Sequence, residues 1–241
     1  MLKKMLLGDY SEVGLNNRLS REKWLKKALG DIQKGQSILD AGAGELKYKS
    51  YCSHLNYTSQ DFAQYDGKGD GVGIQMESWD NSKLDIISDI ASIPKETNSY
   101  DNILCSEVFE HIPHPVKALE EFSRILKPGG RLVLTAPFCS LTHFAPFHFY
   151  TGFNSYFYKH YLELNDFEIV ELSANGNYFE YLAQEIRFSY DLSFKDSGIK
   201  PNFLEKIAQR IVLSLYKKAS IKSKSSNKML NFGYHVIAIK K

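Results

Sequence analysis

Three groups of residues have the types and spacing to do chemistry. The first is the run Ser37-Ile38-Leu39-Asp40-Ala41-Gly42-Ala43-Gly44-Glu45, with Asp61 following 21 residues after Asp40. Two glycines one residue apart let the backbone turn sharply and approach a ligand with no Cβ in the way. An acid about 20 residues beyond such a loop can accept hydrogen bonds from both hydroxyls of a ribose. The second group is Glu107-x-x-Glu110-His111. Two carboxylates and an imidazole this close could hold a divalent ion that binds and acidifies an acceptor hydroxyl. The third is His143 and His148, in the aromatic run 142–150. A histidine titrating near neutrality can take a proton from an acceptor hydroxyl, so each is a candidate general base.

The glycine loop also says what it does not hold. A dinucleotide fingerprint needs a third glycine three residues after Gly44, so that a helix N-terminus can face a pyrophosphate. Lys47 stands there, and Glu45 adds a negative charge beside the loop. The loop suits a nucleoside-type ligand without a pyrophosphate, and speaks against a nicotinamide-dependent oxidoreductase.

These groups need elements to position them. Residues 37–39 form a short apolar run between Gly35 and the glycine loop, which predicts a buried parallel strand. Asp40 then sits at its C-terminal end, where open α/β sheets bind ligands. An amphipathic helix is expected over 16–29 and a further helix over 47–54. Strands are expected over 56–61, 84–89, 100–106, 131–136, 167–172 and 234–240. Pro115 opens a helix at a favoured first-turn position, and Lys127-Pro128-Gly129-Gly130 stops it. Residues 155–164 read as another helix. The alternation of strand and helix demands a parallel sheet with right-handed crossovers. Residues 63–83, with Gly67, Gly69, Gly71 and Gly73, read as an irregular insertion.

With 241 residues, 43% hydrophobic and 24% charged, the chain fits one large domain with a substantial core. The expected division is one catalytic domain over 1–241, with an N-terminal helical cap at 1–35 and a helical excursion at 175–231. Two helices are expected in that excursion, over 178–188 and 203–217, with a mobile lysine- and serine-rich stretch at 219–228. It could serve as a lid, a partner-docking element, an arm for homodimerisation or a basic face touching a membrane surface. A net charge of +2 argues against a general nucleic-acid binder. Cys52, Cys105 and Cys139 lack metal-type spacing and imply no disulfide framework, which suits a reducing cytoplasm. The apolar run within 1–7 is too short for a signal segment, and no run reaches membrane-spanning length.

Taken together, the sequence resembles the class I S-adenosylmethionine-dependent methyltransferases over roughly 37–172 plus the last strand. Residues 38–44 are similar to the family's first motif, Asp61 follows at ribose distance, and Asp89-Ile90 matches its adenine-edge position. Residues 106–112, followed by 126–130, resemble the broad group that includes the ubiquinone-pathway O-methyltransferases. The resemblance implies a Rossmann-like α/β fold: a seven-stranded, mostly parallel sheet with the last strand antiparallel and helices on both faces. It implies S-adenosylmethionine as cofactor. Asp40, Gly42, Ala43, Gly44, Gln60, Asp61 and Phe62 would surround its methionine and ribose, Asp89 and Ile90 its adenine, Ser106 and Glu107 the region of the sulfonium. Arg18 or Arg21 could pair with the methionine carboxylate. The acceptor would be a small molecule, with O-methylation of a sugar or capsule-type surface-glycan precursor as the leading expectation. Glu110, His111, His143 and His148 would be its catalytic residues. An RNA- or quinone-type enzyme with a divalent metal at Glu107, Glu110 and His111 is the alternative. A nicotinamide-dependent oxidoreductase and a cofactor-binding subunit without turnover are the remaining ones.

Overall fold

The computed structural model describes residues 10–241. The run at 1–7 therefore lies outside the described residues. The chain divides into two compact units, one formed by residues 10–22 and 174–232, the other by Lys23–Ser173 and Gly233–Lys241.

The larger unit is built on a seven-stranded sheet in the order β3-β2-β1-β4-β5-β7-β6. Its strands are β1 (Ser37–Ala41), β2 (Asn56–Asp61), β3 (Ile86–Ile87), β4 (Tyr100–Ser106), β5 (Leu126–Pro137), β6 (Phe167–Asn175) and β7 (Gly233–Lys240). Strands β3, β2, β1, β4 and β5 run parallel, and β7 pairs antiparallel with β5. This is the expected Rossmann-like α/β architecture, with its reversal of strand order between β1 and β4. The central strands are apolar on both faces because both are covered. Ile38 and Leu104 join Leu25, Leu29, Tyr48, Cys52 and Val133 in one core cluster. Their neighbours Leu39 and Ile103, paired across β1 and β4, are equally buried and point to the opposite face.

Helix α1 (Asn17–Gly30) crosses the boundary between the units, and only Leu25, Ala28 and Leu29 of it are buried. Helix α2 (Pro115–Ile125) starts at its proline and buries Ala118, Leu119, Phe122 and Ile125. Helix α3 (Ser155–Leu164) is capped by Asn154, whose side chain accepts from the amides of Tyr156 and Phe157.

Three expectations are corrected. Residues 47–54 hold no α-helix, only a 3-10 turn at Lys49–Cys52. Leu46 adopts a left-handed φ of 61°, and the segment, rich in Ser, Tyr and Cys, has poor helix propensity. It buries Tyr48 and Cys52 by turning instead of coiling. The strand expected over 84–89 shrinks to Ile86–Ile87, because Asp85 spends its carboxylate on the Ser59 amide and hydroxyl and Ile87 is exposed. The stretch 219–228 is ordered: it completes a helix to Lys222 and then forms a 3-10 turn at Ser226–Lys228.

The smaller unit pairs α4 (Tyr178–Ser197) with α5 (Phe203–Lys222), both longer than expected. Gly198 ends α4 in the left-handed region, and Asn202 with Glu205 forms a capping box at the start of α5. Val13, Ala183 and Leu213 form its small core. Among the described residues no helix is long and apolar enough to cross a membrane.

One polar network fixes the chain before β4. Glu121 of α2 accepts from the Ile93 amide at 2.7 Å and from Arg124 through both oxygens at 2.7 and 2.8 Å, while Arg124 donates on to the carbonyls of Lys95 and Ile93. Replacing Glu121 with alanine strands a buried amide and releases the guanidinium. Urea unfolding of Glu121→Ala should show a loss of about 2–3 kcal/mol, against about 0.5 kcal/mol for an exposed helix substitution.

Candidate functional site

The glycine loop follows β1 directly. Gly42 and Gly44 have φ of 78° and 50°, in the region that side chains with a Cβ rarely adopt. The amides of Gly42 and Ala43 both donate to the Gln60 carbonyl, at 2.8 and 2.9 Å. The Gly44 amide donates to Asp61 Oδ2 at 3.0 Å, and the Ala63 amide to Asp61 Oδ1 at 3.0 Å. One buried carboxylate therefore ties the loop after β1 to the chain leaving β2. A Cβ on Gly42 would lie 2.4 Å from a Val108 methyl, and one on Gly44 2.6 Å from the Trp79 indole. The loop is wedged between the segment after β4 and an aromatic ring.

Asp40 is buried and accepts from the Tyr57 hydroxyl at 2.6 Å. Burial drives its pKa up to about 7, against the Tyr57 hydrogen bond and with a contribution from nearby Asp61. The Gln60 side chain donates to the Ser88 carbonyl at 2.7 Å, tying β2 to the segment after β3. Asp89 is exposed and accepts from the Ala91 amide at 2.8 Å, whereas Ile90 beside it is buried. Phe62 meets Phe147 edge-on at 4.9 Å. Thr135 on β5 donates to Glu107 Oε1 at 2.9 Å, so its oxygen accepts from Ser106, also at 2.9 Å. Glu107 itself has a φ of 56°, a strained conformation at the tip of β4. Arg18 lies in the smaller unit and pairs with Glu22 one turn along its own helix.

The residues at 110, 111, 143 and 148 come together although more than 30 positions separate the two pairs. The His111 and His143 rings are 4.6 Å apart, His143 and His148 4.8 Å, and His111 and His148 6.0 Å. Nε2 of His111 is 3.6 Å from Glu110 Oε1, and Nε2 of His143 is 3.9 Å from the same oxygen. Nδ1 of His111 meets the Phe147 carbonyl at 2.7 Å, and Nδ1 of His143 meets the Leu141 carbonyl at 2.8 Å. A carbonyl only accepts, so each Nδ1 carries a proton and each Nε2 faces Glu110. That is the orientation in which backbone carbonyls hold metal-binding imidazoles. One ligand atom from each of Glu110, His111 and His143 lies within 4.8 Å of the others. Glu107, expected with Glu110 and His111, is not in this set and is engaged by Thr135. Burial and the neighbouring His143 pull the His111 pKa down to about 3, against the Phe147 carbonyl, and push His148 down as well. Both rings are neutral at pH 7.

Residues 63–83 are irregular, as expected, but not idle. Ile74 forms a parallel bridge with His143: its amide donates to the Thr142 carbonyl and its carbonyl accepts from the Phe144 amide, both at 3.0 Å. Tyr65 stacks on Phe144, Trp79 meets both rings edge-on, and Phe144 stacks on His111 at 5.2 Å. The strap thus touches the glycine loop through Trp79 and fixes the histidines through Ile74 and Phe144.

Residues 39–134 match a family model described as "Methyltransferase domain". Over that stretch the chain is similar to methyltransferase domains. Over 63 residues it is 32% identical to a ubiquinone biosynthesis O-methyltransferase of Xanthomonas oryzae pv. oryzae, covering 26% of each chain. Over 127 residues it is 29% identical to a demethylmenaquinone methyltransferase of Staphylococcus aureus, covering 49% of this chain and 52% of that one. The chain thus spans between a quarter and a half of the length of these curated relatives. Among solved structures, a candidate sarcosine dimethylglycine methyltransferase from Galdieria sulphuraria superposes with a TM-score of 0.55 at 15% identity, covering 92% of this chain and 86% of that one. The [4+2]-cyclase SpnF gives 0.53 at 17% identity, covering 92% and 80%. A shared fold with a cyclase shows that the fold alone does not fix the reaction.

Within this site, sequence reasoning missed Tyr57, Trp79 and Thr135. Tyr57 and Thr135 lie in runs that read only as strand, and Trp79 in an insertion with no periodicity. A bulky aromatic in a glycine-rich loop was the one signal for Trp79.

Asp61 holds the loop through both oxygens, and the family resemblance expects it to take the ribose hydroxyls as well. Titration calorimetry of Asp61→Ala with S-adenosylmethionine should show at least about tenfold weaker binding, near 1.4 kcal/mol or more. Asp40 gives a pH signature. Folded, its carboxyl keeps a proton up to about 7, and the unfolded value is 3.8. Between those values the folded chain binds more protons, so this group erodes stability as pH rises. The stability of Asp40→Asn relative to the parent chain should therefore rise by about 2–3 kcal/mol between pH 5 and pH 8 in urea unfolding.

Proposed function

We propose that the chain transfers the sulfonium methyl group of S-adenosylmethionine to a hydroxyl of a small, planar acceptor. The observation that carries this is the continuity of the site. Gly42 packs on Val108, two residues before Glu110, and Gly44 is joined through Trp79 and Phe144 to His111. A cofactor on the glycine loop and an acceptor at the histidines would be close neighbours. Methyl transfer is an in-line displacement, in which alignment and exclusion of water supply most of the catalysis. The acceptor oxygen forms the new bond to carbon as the carbon–sulfur bond breaks, and the electron pair stays on sulfur. The hydroxyl proton needs a base, and neutral His148, more open than His111, is suited to take it.

The aromatic lining suits a planar acceptor. Phe144 stacks on His111 and meets His143 edge-on, and Phe147, whose carbonyl holds His111, meets Phe62 edge-on, so aromatic rings stand at and beside the histidines. The named relatives are enzymes of ubiquinone and menaquinone chemistry, which supports a phenolic acceptor. The sugar or glycan precursor expected from sequence is the competing acceptor. With labelled methyl donor, a panel of catechols, hydroquinones and free or nucleotide-linked sugars should give transfer to the phenols. Transfer to sugars alone would replace this reading.

A divalent cation fits the same cluster. Glu110, His111 and His143 would hold it, with both imidazoles already oriented by carbonyls. When bound, such an ion would lower the pKa of an acceptor hydroxyl. The mixed imidazole and carboxylate set suits zinc or a neighbouring first-row dication. Equilibrium dialysis should load about one zinc ion per chain, and His143→Ala, which removes a direct ligand, should weaken that binding by more than the roughly 10-fold minimum seen on losing an outer-shell partner. Equal loading of parent and variant would remove the metal from this site.

A further inference from the structure

The smaller unit carries a surface that methyl transfer does not use. Along α5, Leu204, Ala208, Ile211, Leu215, Lys218 and Lys222 recur at alternating spacings of four and three residues, and all six are exposed. That spacing places them in one stripe on a helix. The opposite face is the packed one: Leu213 is buried with Val13 and Ala183. The stripe is apolar for its first three turns and basic in its last two. Phe203 and Ile221 flank it, 74% and 75% exposed, and Met229 follows at 72%. Apolar side chains this open, in line on a well-capped helix, are not ordinary scattered surface hydrophobics.

Charge decides what would cover them. Residues 200–228 contain eight lysines and arginines against one acid, Glu205, while the whole chain is only +2. A second copy of the same face would bring two strongly basic segments together. An amphipathic helix with a bare apolar stripe and lysines at its margin instead suits the boundary between anionic headgroups and acyl chains. We propose that α5 docks the protein on an anionic lipid bilayer, with Leu204, Ile211 and Leu215 entering the interface and Lys218 and Lys222 meeting headgroups. This goes beyond the methyl-transfer reading and does not rest on it.

The test is co-sedimentation of the full chain with phosphatidylglycerol–phosphatidylcholine vesicles and with pure phosphatidylcholine vesicles. The anionic vesicles should bind at least about tenfold more tightly, and added salt well above about 0.15 M should weaken that binding. Two double variants, Ile211→Glu with Leu215→Glu and Lys218→Glu with Lys222→Glu, should each lower binding about tenfold. Both pairs are exposed, and unchanged helix content by circular dichroism would exclude misfolding as the cause. Equal binding to the two vesicle types, or variants that bind like the parent chain, would overturn the proposal. So would a concentration-dependent dimer that the Ile211→Glu, Leu215→Glu chain no longer forms while its vesicle binding is unchanged. That result would assign the stripe to a second copy.

Discussion

The buried Asp61 carboxylate is the constraint on which the site depends. Its two oxygens take the amides of Gly44 and Ala63, so the turn after β1 and the exit from β2 are set by one side chain. The Gln60 carbonyl takes the two preceding loop amides, which extends the β1–β2 ladder beyond its last strand pair. These four hydrogen bonds are worth little net against water, but leaving any of them unmade inside the fold would be costly. The loop is therefore specified by satisfaction of its backbone more than by contact energy. The absence of a Cβ at Gly42 and Gly44 then lets Val108 and Trp79 close on it.

That closure connects two halves of the site that are far apart in sequence. Val108 sits between Glu107 and Phe109, so the position of the glycine loop and the position of the Glu110–His111 pair are not independent. Trp79 reaches the same loop at Gly44 and contacts Phe144, whose neighbour His143 is bridged to Ile74. A glycine-rich insertion without regular structure would ordinarily be expected to be mobile. Here its backbone pairs with 142–144 and its aromatics stack, so it acts as a brace between loop and histidines.

This explains what was legible in the sequence. Strand β1 announces itself as an apolar run before the glycine loop, β4 and β5 by the apolar runs at 103–105 and 132–134, and the largely polar β2 by the closing acid Asp61. The histidine cluster was readable only as a list of residues. Nothing local says that residue 143 meets residue 111, because that contact is made by the strap and the long connection after β5. The false helix at 47–54 has the same origin: a helix is the usual successor to such a loop, but here Leu46 and the burial of Tyr48 and Cys52 favour turns. Tertiary packing overrode a local preference that was weak to begin with.

Glu107 shows how a motif can be right in composition and divided in function. Its positive φ carries it away from the path that Glu110 and His111 follow, and Thr135 fixes its carboxylate on the β5 side. Glu110 goes the other way, facing two imidazoles whose Nδ1 atoms are both committed to carbonyls. The two acids, three residues apart, are thus separated by backbone geometry into different environments. The one at the strand tip stands beside Ser106, and the buried one belongs to the histidines. Strain at residue 107 is the cost of that separation, and it is tolerated because the Glu107 amide and carboxylate are both anchored to Thr135.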